Sequence, residues 1–109
     1  MRDISAGDLE KYCYCPLSWK LSRAGGLDAS MAEGAISAKH KELIALAIGV
    51  TQRCSGCVGF HVKALHRLGC TRAELEEMLA VCVYMGGGPS LMYAANAMAA
   101  YEEFAAATA

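Results

Sequence analysis

Leu43-Ile44-Ala45-Leu46-Ala47-Ile48 is apolar on every side, and a chain that carries such a run must enclose it. The alanine content and the length of the surrounding segment favour a helix over a strand. Ser37 is the expected N-cap, so the helix runs from about Ala38 to Thr51. A second helix is expected from about Cys54 to Leu68, stopped by Gly69. Thr71-Arg72-Ala73-Glu74 has the form of a capping box and opens a third, with Leu75, Met78, Leu79, Cys82 and Met85 on one face. Gly86-Gly87-Gly88-Pro89 breaks it, and an alanine-rich helix follows from about Pro89 to Ala106. Upstream, residues 3–23 read as a short helical stretch interrupted at Pro16 and ended by Gly25-Gly26, and 28–35 as irregular or weakly helical. No strand pattern, low-complexity tract or internal repeat is present. The fold class is all-α.

Composition says what that bundle must do with its surface. At 109 residues, with 55% hydrophobic and only 19% charged side chains, one small domain has little interior for so much apolar area. A subunit interface is the simplest outlet. The formal charge is −1 and the basic residues are dispersed, which speaks against nucleic acid as a partner. No apolar run reaches the roughly 18 residues of a membrane span. The polar start Met1-Arg2-Asp3-Ile4-Ser5-Ala6-Gly7-Asp8 does not resemble a signal peptide, so the expected location is cytoplasmic. In a reducing compartment, six cysteines point to redox or metal chemistry rather than structural staples.

That chemistry concentrates in Cys54-Ser55-Gly56-Cys57-Val58-Gly59-Phe60-His61. On a helix, Cys54, Cys57 and His61 share one face. Thiols at this spacing can close a short disulfide or hold a metal, with Cys13, Cys15, His66 or water completing a zinc set. A thiol in the first turn, with Arg53 or Thr51 as the cap, sees free amide protons that favour the thiolate. His61 can take its proton, and Glu42, bordering the apolar run, is the candidate to orient the imidazole. Cys70 and Cys82 read as packing residues, and His66 and His40 as solvated. Tyr84, Met85, Tyr93, Tyr101 and Phe104 read as core or interface.

Lys41-Glu42-Leu43-Ile44-Ala45-Leu46-Ala47, Cys54-x-x-Cys57-x-x-x-His61-x-x-x-Ala64-Leu65, Gly69-Cys70-Thr71-Arg72-x-Glu74-Leu75 and Met85-Gly86-Gly87-Gly88-Pro89 together resemble the carboxymuconolactone decarboxylase family. Within it, the chain resembles the alkylhydroperoxidase D-like (AhpD-like) thiol peroxidases over residues 36–105, with twelve positions from Glu42 to Cys54 in register. The resemblance implies an AhpD-like helical domain of one repeat over residues 25–109, with 1–24 outside it. It further implies trimers or hexamers and a peroxidase cycle without a cofactor. Cys57 would attack the hydroperoxide, Cys54 would close a disulfide on the resulting sulfenic acid, and Glu42 and His61 would relay the proton. A dithiol reductant protein would then reopen the disulfide. Some peroxidase members carry a histidine between the two cysteines, where this chain has Gly56. The family's lyases, which act on a small lactone acid, are the alternative reading, but they generally lack the Cys pair. A metal-binding or redox-sensing module without turnover is another. The opening residues from Ile4 to Trp19 faintly resemble the start of a nuclease family whose cysteine binds an iron–sulfur cluster, and no activity is assigned to them.

Overall fold

A computed structural model describes residues 30–108. The chain divides into two compact units, Met1–Glu33 and Gly34–Ala109, and all that follows concerns the second. Expectations that fall on residues 1–29, including the break at Pro16 and any role for Cys13 or Cys15, lie outside the described residues.

The second unit is four helices: α1 (Ala38–Thr51), α2 (Ser55–Arg67), α3 (Arg72–Gly86) and α4 (Gly88–Thr108). Each boundary has a local cause. The Ser37 hydroxyl accepts the His40 amide and opens α1. α2 ends in a Schellman motif, in which the Cys70 N–H reaches the Leu65 carbonyl and the Gly69 N–H reaches that of His66. Gly69 adopts φ +77°, which costs glycine nothing. Thr71 and Glu74 form the expected capping box at the start of α3. Gly87, at φ +73°, then separates α3 from α4.

α1 lies against α2, α3 and α4, while α4 packs on both α2 and α3. The core is shared by all four: Leu46 and Val50 from α1, Val58, Val62 and Leu65 from α2, Leu75, Leu79 and Cys82 from α3, and Ala94 and Ala97 from α4. The small side chains of α4 let the neighbouring backbones come close. Gly86 shows how close, since a Cβ there would stand 1.9 Å from Ser90 Oγ and 3.3 Å from Thr51 Cγ2. Polar ties join the elements as well. Lys39 Nζ donates to Glu74 Oε2 at 2.7 Å, and the Tyr101 hydroxyl donates to the Cys70 carbonyl at 2.9 Å.

Three sequence expectations need correction. The apolar run of α1 is not enclosed on every side by this chain, because Ile44 is 50% and Ile48 57% exposed. Met85 does not join the buried face of α3, and it and Tyr84 project into solvent at the end of the helix. His66 is half-buried, with its ring edge-on to Tyr101 at 5.7 Å. Cys70 and Cys82 are buried, as packing residues should be.

Gly86→Ala should lower stability by about 1–3 kcal/mol, because the new methyl overlaps Ser90 and neither helix can withdraw without opening the core. The shift of the urea midpoint measures it. Glu74 gives a pH signature. The ion pair with Lys39 and the amide of Thr71 hold its carboxyl down at about 2. Its contribution is therefore present above the ordinary carboxylate value and fades as the pH falls towards 2. The stability gap between wild type and Glu74→Gln should narrow over that acid range and stay constant from pH 5 to pH 7.

Candidate redox site

The turn between α1 and α2 is the structural origin of the site. The Cys54 N–H donates to the Gly49 carbonyl at 2.9 Å and the Arg53 N–H to that of Val50 at 3.2 Å, a second Schellman motif. Arg53 occupies the left-handed position, at φ +59°, where glycine is the usual residue. The residue that closes this motif is Cys54, which is also the N-cap of α2. One cysteine thus ends one helix and begins the next. The expectation that Arg53 or Thr51 caps α2 is replaced by this arrangement.

Cys54 and Cys57 are joined in a disulfide. The Cys57 N–H donates to Cys54 Sγ at 3.3 Å, so that sulfur sits among the unpaired amides of the first turn. Once reduced, Cys54 would be a thiolate favoured by those amides and by the positive end of the helix. Cys57 and His61 lie one turn apart on α2.

Across the helix pair, His61 Nδ1 and Glu42 Oε2 are 2.6 Å apart. A carboxylate oxygen accepts, so Nδ1 carries the proton and Nε2 is left as the basic nitrogen. Glu42 is only 9% exposed, and a buried carboxylate is costly without such a partner. Gly49, seven residues after Glu42 on the same face of α1, lets α2 approach: a Cβ there would lie 3.0 Å from the Cβ of Cys57. Phe60 stands edge-on to the His61 ring at 5.1 Å and is 69% exposed.

The structure therefore places Glu42, Cys54, Cys57 and His61 on two adjoining helices. His40 is exposed and bonds Ser37 rather than Glu42. Among the described residues, no group of three or more His, Cys, Asp or Glu is arranged to hold a metal ion. Sequence reasoning passed over Gly49 and Phe60. The seven-residue step from Glu42 was the available signal for Gly49. An apolar groove of about 270 Å³ lies elsewhere, between α3 and α4, lined by Leu79, Val83, Leu91 and Ala94 among others. It does not include the cysteines.

Known proteins agree with this architecture. The carboxymuconolactone decarboxylase family model matches residues 18–100, a span that begins upstream of the motifs in residues 36–105. An uncharacterized protein of Cupriavidus necator is 42% identical over 78 residues, covering 72% of this chain and 69% of that relative. A protein of the cox locus of Paracoccus denitrificans is 33% identical over 66% of this chain and 65% of its own length. A crystal structure of an apo carboxymuconolactone decarboxylase family protein from Legionella pneumophila superimposes with a TM-score of 0.71 at 46% identity, covering 91% of this chain and 85% of that one.

The Glu42–His61 contact has a spectroscopic consequence. In wild type, imidazole nitrogen NMR should show His61 protonated at Nδ1 and bare at Nε2, whereas Glu42→Ala should give the mixed tautomers of a free imidazole. With the helix pair, its turn and the four matches in place, the chain belongs to the carboxymuconolactone decarboxylase family.

Proposed function

We propose that this protein is a thiol-dependent peroxidase of the alkylhydroperoxidase D-like branch, cycling through the Cys54–Cys57 disulfide. The observation that carries the reading is a disulfide-forming Cys pair on a helix whose next turn bears a histidine oriented by a buried carboxylate. In the proposed cycle, His61 Nε2 takes the proton of Cys57, and the thiolate attacks the terminal oxygen of a hydroperoxide. The O–O bond breaks, Cys57 becomes a sulfenic acid, and the departing alkoxide takes the proton from His61 and leaves as an alcohol. The Cys54 thiolate, favoured at the helix N-terminus, then attacks the Cys57 sulfur and expels the hydroxyl, which leaves as water on regaining the proton that the Cys54 thiol had released to solvent. Two thiols and one hydroperoxide thus give a disulfide, an alcohol and water. A dithiol reductant protein restores both thiols by exchange.

Self-association into a trimer or hexamer belongs to the same reading. Ile44, Ile48, Val81, Leu91 and Met92 are each at least half exposed in the single chain, and Leu91 also lines the apolar groove between α3 and α4. No helix among the described residues is long and apolar enough to cross a membrane, which is compatible with the cytoplasmic location proposed for the enzyme.

Purified protein should consume an organic hydroperoxide when supplied with dithiothreitol. Cys57→Ser should abolish turnover, and Cys54→Ser assayed without reductant should consume one equivalent and stop at the Cys57 sulfenic acid. His61→Ala should slow the peroxide step by about 10²-fold or more, the usual worth of a positioned base. Full activity in Cys57→Ser would refute the mechanism.

A further inference from the structure

We propose that the solvent face of α2 running from Arg53 through Gly56, Phe60 and Lys63 to Arg67 is the docking surface for an acidic dithiol protein that reduces the Cys54–Cys57 disulfide. The proposal rests on the redox reading of that disulfide and adds the partner's charge and its place of contact.

Charge distribution is the first support. Residues 53–70 contain Arg53, Lys63 and Arg67 and no aspartate or glutamate, whereas residues 71–108 hold five glutamates against Arg72 alone. The remaining cation in this comparison, Arg72, pairs with Glu76 and Glu102, and Lys39 of α1 pairs with Glu74. Among the described residues, Arg53, Lys63 and Arg67 make no ion pair. Unpaired cations therefore gather on α2 and the turn that opens it, the stretch that carries the redox pair.

Geometry aligns them. Positions 56, 60, 63 and 67 recur at helical spacing, so they form one stripe along α2, and all four are exposed. The stripe starts at Arg53, in the turn that holds Cys54. Phe60 lies in the middle of it and touches the ring of His61. A cationic rim around one exposed aromatic suits a brief encounter, with charge speeding approach and the aromatic supplying the desolvated contact. Arg53 adds an independent point. It holds a left-handed conformation that glycine would adopt without penalty, so a cation stands at the redox turn despite a backbone cost.

The acidic α3–α4 half of a second copy would also complement the stripe. It would, however, cover the edge from which a reductant must reach the sulfurs, so the favoured occupant is the reductant itself. In the exchange, a partner thiolate attacks one sulfur of the disulfide and releases the other as a thiolate, giving a mixed disulfide. The partner's second thiol attacks its own sulfur in that bond and frees the second cysteine. Two electrons and two protons pass to Cys54 and Cys57, and the partner leaves as a disulfide.

The test uses oxidised full-length protein, no peroxide, and two synthetic Cys-x-x-Cys dithiol peptides, one flanked by glutamates and one by lysines. At low ionic strength the glutamate-flanked peptide should reduce Cys54–Cys57 about tenfold faster or more, and the gap should close in 1 M salt. The double variant Lys63→Glu/Arg67→Glu should reverse the preference while dithiothreitol, which is uncharged, reduces it at the wild-type rate. Rates within twofold for the two peptides on wild type would overturn the proposal, and so would a preference that survives the double substitution. Light scattering that shows the substitution splitting an oligomer would overturn it as well, by placing a second copy on the stripe. Because no peroxide is present, a failure here is separate from a failure of the peroxidase reading, which would show as no hydroperoxide consumption with dithiothreitol.

Discussion

The close approach of α1 and α2 at Gly49 is what the rest of the site depends on. There is no side chain at that position, and the Cβ of Cys57 fills the space one would take. The carbonyl of the same residue receives the amide of Cys54. A single glycine thus touches both cysteines, one through backbone hydrogen bonding and one through packing. From this contact the two helices run on until Glu42 meets His61, seven residues back on α1 and four residues on along α2. Spacing the helices further apart would lengthen the carboxylate–imidazole bond and leave Glu42 buried without a partner, which costs far more than the bond itself contributes.

Chemical asymmetry between the two sulfurs follows from the same turn. Cys54 sits where the backbone leaves one helix and enters another, so its sulfur is the acceptor for a first-turn amide. Cys57 is the third residue of the helix, a turn before His61, which the proposed cycle assigns to it as its base. In the proposed cycle these two environments suit different tasks: one sulfur is deprotonated by a neighbour when substrate arrives, and the other is held ready as a thiolate. The two buried thiols, Cys70 and Cys82, have neither advantage, and burial pushes both of their pKa values up.

Much of the fold was readable in the sequence because its punctuation is local. Ser37, Gly69, the Thr71–Glu74 box and the glycine run before Pro89 act through backbone conformation and nearby amides, so each marks a helix end wherever it occurs. The redox residues were readable for a related reason, since helical spacing alone puts Cys57 and His61 on one face. What escaped was set by contacts between elements. Arg53 takes a conformation that its residue type disfavours, so no local rule announces the tight turn that makes Cys54 a cap. Gly49 looks like a weak point in an apolar helix until α2 is laid against it. The exposure of Ile44, Ile48 and Met85 could not be read either, because periodicity identifies an apolar face without saying which surface covers it.

The most direct trial of the account is to locate the first oxidised sulfur. In the Cys54→Ser protein treated with one equivalent of hydroperoxide and dimedone, peptide mass spectrometry should find the sulfenic-acid adduct on Cys57 alone, and Glu42→Ala in the same background should slow its appearance. An adduct on Cys70 or Cys82, or a rate indifferent to Glu42, would contradict the claim that the packed α1–α2 pair activates this thiol.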